Sequence, residues 1–159
     1  QDWGRAIVIG TQSFGKGCIV GLDQGNTRRE NLLRSAVEGA TFALRFGIDE
    51  LARLGIAGSS IVLTGGGSRS ATWRQIVADV CGLPVRVPEH EEGAAFGAAL
   101  QALALIDPAA RGDVAGLVRE HVRFDAGRGC EPDEACVAAY AEDYRRYRSA
   151  LQAVTTLYA

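Results

Sequence analysis

Apolar and polar positions along the chain fall into a hairpin followed by alternating helices and short strands. Residues 6–9 and 18–22 are apolar runs on either side of a glycine-rich stretch, a pattern that predicts a β-hairpin. Beyond it, Leu32, Leu33, Ala36, Val37, Ala40, Ala43, Leu44 and Leu51 recur at helical spacing and mark the expected buried face. Thr27-Arg28-Arg29-Glu30 reads as a capping box, with Thr27 accepting from the amide of Glu30 while the glutamate reaches back. The helix is expected to end before Gly55, with Gly39 and Gly47 as its weak points. Residues 60–64 (SIVLT) predict a strand that runs into Gly65-Gly66-Gly67. Ser70 then caps a helix that reaches Cys81, where Gly82 and Pro84 stop it. Val85, Arg86 and Val87 predict a further strand, closed by Pro88. Residues 92–106 form a helix of small residues, in which Gly93 and Gly97 permit close packing on a sheet. Residues 107–113 are a loop, and Pro132 opens a last helix carrying Tyr140, Tyr144 and Tyr147. Helices and strands in this alternation give an α/β class.

A length of 159 residues is that of one domain, and a net charge of −2 argues against nucleic acid or an anionic membrane as partner. The most apolar run, residues 93–106, is broken by Gln101 and too short to span a bilayer. Cys18, Cys81, Cys130 and Cys136 are scattered, without a C-x-x-C pair, so free thiols in a reducing compartment are expected and a zinc site is not. A cytoplasmic domain follows. His90 and His121 lack metal-ligand companions and read as solvated surface. Glu91 and Glu92 are neighbours that point apart on a helix, so they favour its N-terminus rather than share an acid–base site.

Candidate chemistry begins at residues 10–17, GTQSFGKG, which hold Lys16, the only lysine of the chain. Gly10, Gly15 and Lys16 have P-loop spacing, but that loop needs Ser or Thr after the lysine and then a helix. Gly17 fills the first position and a strand pattern follows, so the P-loop reading fails on both counts. The wider stretch GRAIVIGTQSFGKG resembles the catalytic-lysine segment of carboxy-terminal processing peptidases, which use a serine–lysine pair. That resemblance makes Lys16 a candidate base. The nucleophilic serine of that family lies upstream, and Ser13 is the only serine before Lys16, so the stretch supplies half a dyad at most. A plain hairpin tip is the competing reading.

From Gly17 onward the chain resembles the FGGY carbohydrate kinases. Gly17-Cys18-Ile19-Val20-Gly21-Leu22, then Asn31-Leu32 and Ser35-Ala36-Val37-Glu38, fit that family's carboxy-terminal signature. Leu63-Thr64-Gly65-Gly66-Gly67-Ser68-Arg69-Ser70, with Trp73-Arg74-Gln75, resembles its adenosine-binding segment. Asp79 to Val85 and the glycine–alanine helix from Glu91 resemble the elements that follow, and the tyrosine-bearing last helix is most like that of xylulokinases. The resemblance implies an actin-like ATPase domain of the ribonuclease H-like kind, the carboxy-terminal half of a two-domain sugar kinase. It divides the chain into an atypical hairpin segment, 1–17, and a nucleotide-binding domain, 17–159.

On that resemblance ATP with Mg2+ is the cofactor, Gly65, Gly66, Gly67 and Ser70 bind the nucleotide, and no catalytic residue lies in this chain. The resemblance also implies that a preceding amino-terminal domain supplies the sugar pocket and the general base, so this chain alone transfers no phosphate. ATP or ADP and, through that domain, a sugar are then the partners, and a homodimer is allowed. Two readings compete with it. A dinucleotide fold would use Gly65-x-Gly67-x-x-Ser70 with Glu89 and the pair Tyr144-x-x-x-Arg148, but its third glycine is Ser70. A folded, non-catalytic interaction module is the other.

Overall fold

The computed structural model of the chain describes residues 7–10, 17–90, 92–107 and 112–156. Strands β1 (Ile7–Gly10) and β2 (Gly17–Val20) lead to helix α1 (Arg29–Arg53). Strand β3 (Ile61–Val62), a single 3-10 turn (Gly66–Arg69) and helix α2 (Ala71–Cys81) follow, then strand β4 (Val85–Arg86). Helices α3 (Gly93–Ile106), α4 (Val114–His121) and α5 (Glu134–Thr155) complete the order. The described residues fall into two compact units, one within Gln1–Gly58, Ile76–Gly82 and Pro132–Ala159, the other within Ser59–Gln75 and Leu83–Glu131.

In the first unit β1 and β2 form the expected antiparallel hairpin, with Ile7 opposite Val20 and Gly10 opposite Gly17. The turn after β2 is built by side chains. Asp23 Oδ1 accepts from the amides of Gly25 (2.7 Å) and Asn26 (2.9 Å), and the buried Asn26 donates to the Gly21 carbonyl (2.7 Å). The capping box does not form. Arg28 holds the N-cap position without a side-chain bond, and the Thr27 hydroxyl donates backward to the Asp23 carbonyl at 2.5 Å. The Asp23–Asn26 turn carries the chain into the helix one residue later than a Thr27 cap requires. The end of α1 is as expected: Leu54 closes it and Gly55 takes φ 84°, a left-handed conformation that favours glycine.

The buried face of α1 is not the one its apolar residues mark. Ser35, Glu38, Gly39, Thr41 and Phe42 are buried, whereas Leu33, Val37, Leu44 and Leu51 are exposed. Part of that buried face meets α5, whose Tyr140, Tyr144 and Tyr147 are buried. Their rings surround Phe42 at centroid distances of 6.1, 5.9 and 5.3 Å. Beside them the Tyr140 hydroxyl donates to Glu38 Oε1 (2.8 Å) and accepts from Arg34 Nη2 (2.5 Å), while Arg34 Nε donates to the same carboxylate oxygen (2.7 Å). A buried carboxylate is tolerable only with such donors. The Tyr144 hydroxyl donates to Asp49 (2.7 Å) and accepts from Arg148 (3.3 Å).

Burial, reinforced by the Glu38 charge, pushes the Tyr140 phenol up to about 12 from an ordinary 10.0. The folded state therefore holds this proton more tightly than the unfolded chain. Its contribution to stability is complete below pH 10 and disappears as pH rises through 12. Tyr144 and Tyr147 are raised in the same direction, chiefly by burial. Denaturation midpoints measured across that alkaline window should fall, and Tyr140→Phe should make the fall shallower.

In the second unit β3 and β4 are parallel, with Ile61 beside Val85 and Val62 beside Arg86. Parallel neighbours need a crossover, and α2 is that crossover. The Ile61 amide donates to the Pro84 carbonyl and the Leu63 amide to the Arg86 carbonyl, at 2.8 and 2.9 Å. The other edge of β4 is covered by a returning segment: Val85 and Cys130 exchange backbone bonds of 2.8 and 3.0 Å, and the Arg86 guanidinium lies over the Phe124 ring at 3.9 Å. Helix α4 falls outside the expected elements. Asp113 caps it, accepting from the Gly116 amide (2.7 Å), and Leu117 joins Leu100 and Ala104 of α3 in a small core. Gly93 packs closely, with a Cβ there 3.5 Å from Thr64, but Gly97 faces open space, against the expectation that both serve close packing. Among the described residues no helix is long and apolar enough to cross a membrane.

Candidate functional site

The glycine triplet sits where β3 gives way to α2, and each glycine does something different. Gly65 has φ 79° and ψ −174°, a region that side-chain-bearing residues avoid. Its carbonyl accepts from the Ser68 amide (3.0 Å) and the Ser68 hydroxyl (2.8 Å), which closes the 3-10 turn. Gly66 faces open space, as does Gly65: a Cβ on either meets nothing within 4 Å. On Gly67 a Cβ would fall 1.5 Å from the Trp73 ring. The bare face of Gly67 is thus the seat of an indole, while those of Gly65 and Gly66 are open to an approaching group.

Ser70 caps α2 as expected, its Oγ accepting from the Trp73 amide at 3.2 Å. One bond therefore ties the cap to the residue whose ring rests on Gly67. Beneath the turn, Ser68 is buried, and its carbonyl accepts from Arg74 Nη1 (2.7 Å) and Arg128 Nη2 (3.3 Å). Arg74 is itself buried, and its Nε has no hydrogen-bond partner. Ser68 and Arg74 lie inside the segment that resembles the adenosine-binding one, with no role of their own assigned there, and Arg128 lies outside it. Arg74 follows the tryptophan in the quoted Trp73-Arg74-Gln75, but Arg128 comes from a distant loop and leaves no local signal.

Of the candidate residues, Gly65, Gly66, Gly67 and Ser70 lie in this one turn. Lys16, the candidate base of the peptidase reading, lies outside the described residues. The dinucleotide reading loses its catalytic pair, because Tyr144 is buried and its hydroxyl is engaged by Asp49 and Arg148. All four cysteines are unpaired thiols, and burial pushes Cys81 up to about 11. Among the described residues no group of three His, Cys, Asp or Glu is placed to hold a metal ion.

The residues of the kinase signature have structural duties. Gly21 takes φ 84° and offers its carbonyl to Asn26, and Asn31 donates to the Asn26 carbonyl at 3.0 Å. Ser35 donates to the Leu32 carbonyl at 2.9 Å, and Glu38 anchors Tyr140. The signature is thus a lock between the turn, α1 and α5.

Comparison with known proteins agrees. The chain is 39% identical over 132 residues to the xylulose kinase of Haemophilus influenzae, covering 83% of this chain and 26% of that enzyme. An autoinducer-2 kinase of Enterobacter sp. is 38% identical over 82 residues, 51% of this chain and 16% of that protein. The crystal structure of xylulose kinase from Rhodospirillum rubrum superposes with a TM-score of 0.76 at 26% identity, over 97% of this chain and 31% of that one. This chain therefore spans about a quarter of the length of the first of these relatives. Its fold is the actin-like one of these sugar kinases. Residues 3–106 match the carboxy-terminal domain of the FGGY family of carbohydrate kinases, so the stretch that resembles the peptidases lies inside the kinase match, and the chain belongs to that family.

Proposed function

We propose that this chain is the nucleotide-binding part of an ATP-dependent sugar kinase of the xylulose-kinase kind, working in the cytoplasm. A hairpin segment, 1–17, leads into a nucleotide-binding body, 17–159. In the whole enzyme, magnesium with ATP would supply the transferable phosphoryl group, and the sugar and its general base would sit on the remainder of the protein. Catalysis of this transfer rests chiefly on positioning and on electrostatic stabilisation.

The observation that carries the reading is the open face of Gly65 and Gly66 at a strand-to-helix turn. Without side chains, backbone amides there can come within hydrogen-bond distance of an anionic ligand, and the positive end of a helix dipole favours it. Such a cradle fits the adenosine and α-phosphate of a nucleotide. Trp73 and the Ser70 cap hold the turn in shape while the nucleotide lies against Gly66.

Gly66→Ala separates ligand approach from folding. The added methyl meets nothing in the protein, so the melting temperature should stay within about a degree of the parent. Calorimetric titration with Mg-ADP should nevertheless weaken about tenfold or more, because the methyl occupies the approach to the turn. Equal affinity in both chains would remove Gly66 from the nucleotide site.

A further inference from the structure

The nucleotide-facing turn is held from beneath by two arginines: Arg74, which lies in the quoted segment without an assigned role, and Arg128, which lies outside every quoted motif. Arg74 Nη1 reaches the Ser68 carbonyl at 2.7 Å, and Arg128 Nη2 reaches the same carbonyl at 3.3 Å and the Ser68 hydroxyl at 3.4 Å. Ser68 is 2% exposed and Arg74 8%. Ser68 in turn holds the Gly65 carbonyl through both its amide and its hydroxyl. A displacement of Ser68 therefore moves Gly65.

Both lone pairs of the Ser68 carbonyl can thus be engaged by guanidiniums, which brings two cationic groups together beneath the turn. Arg74 carries its charge into the interior with Nε left without a hydrogen-bond partner. Burial of a cation costs free energy unless something offsets it, and an anion bound nearby does so. We propose that Arg74 and Arg128 are positioning residues for nucleotide binding: through Ser68 they fix the Gly65–Gly66 backbone, and their charges favour phosphate on the turn. Neither needs to touch the ligand. The inference rests on the nucleotide reading of the turn.

Arg128 is only half-buried and belongs to a loop, so Arg128→Met is the variant of choice. The whole 159-residue chain is used in a Trp3→Phe background, where Trp73 is the only tryptophan and its emission reports the turn. Mg-ADP is the probe. The expected result is a melting temperature near that of the parent, an altered Trp73 emission and an affinity about tenfold weaker. Arg128→Lys keeps the charge but not the planar fork, and should recover part of the affinity. Arg74→Lys should weaken binding in the same way; if that variant does not fold, Arg128→Met decides alone. Parent and Arg128→Met chains that bind Mg-ADP equally would overturn the proposal and leave the nucleotide reading standing. A parent chain that does not bind Mg-ADP would overturn the nucleotide reading, and this inference with it.

Discussion

Gly67→Ala should destabilise the chain by about 3 kcal/mol, the upper end of what overpacking costs, and should abolish detectable Mg-ADP binding. The added Cβ would lie 1.5 Å from one atom of the Trp73 ring and 2.2 and 2.7 Å from two others. No rotation of the methyl relieves that overlap, so the indole must leave. Trp73 also donates its amide to the Ser70 cap. Displacing it therefore disturbs the start of α2 and the 3-10 turn together. Urea denaturation followed by tryptophan emission reads both effects, since the ring passes from a packed to a solvated setting. The contrast with Gly66→Ala is the sharper test. Two adjacent glycines, changed identically, should give a large loss of stability at Gly67 and almost none at Gly66, because one faces an indole and the other faces open space.

Phe42→Ala is expected to cost about 3–5 kcal/mol, as removal of a buried aromatic ring generally does. Phe42 is 3% exposed and makes ring contacts with Tyr140, Tyr144 and Tyr147. Its loss leaves a cavity between α1 and α5 next to the hydrogen bonds that hold Glu38. By comparison, Leu33→Ala should change stability by less than about 0.5 kcal/mol, because Leu33 is 59% exposed. A sequence-based reading of the helix face predicts the reverse order. Chemical denaturation of the two variants decides between them.

That reversal shows where the sequence was legible. Glycines and caps act locally, so Gly55, Gly82 and Ser70 marked helix boundaries that the structure reproduces. The two strands flanking α2 were readable in place but not in length: Ile61–Val62 stands where 60–64 was expected, and Val85–Arg86 where 85–87 was. The buried face of α1 was not readable from hydrophobicity. It depends on long-range partners: the α5 tyrosines hydrogen-bond Glu38 and Arg34 and pack their rings on Phe42. The capping box failed for a similar reason, since the Asp23–Asn26 turn takes the Thr27 hydroxyl first. Helix α4 had a local signal that went unread: Asp113 as cap, then Val114, Leu117, Val118 and His121 at helical spacing.

At the site itself the same division holds. The glycine triplet and Ser70 stood out because their residue types are unusual at a strand end. Which glycine is open and which is filled depends on where the Trp73 ring lands, and spacing alone does not fix that. Arg128 reaches Ser68 across 60 positions of sequence, a contact that only the fold creates.

Amide chemical-shift mapping with Mg-ADP asks of the molecule itself whether the turn at Gly65–Ser70 receives a nucleotide. Saturable shifts are expected at Gly65, Gly66, Ser68 and Ser70, with smaller ones at the start of α3, where Gly93 meets Thr64. A folded sample whose amides in this turn stay unmoved at millimolar Mg-ADP would contradict the nucleotide reading.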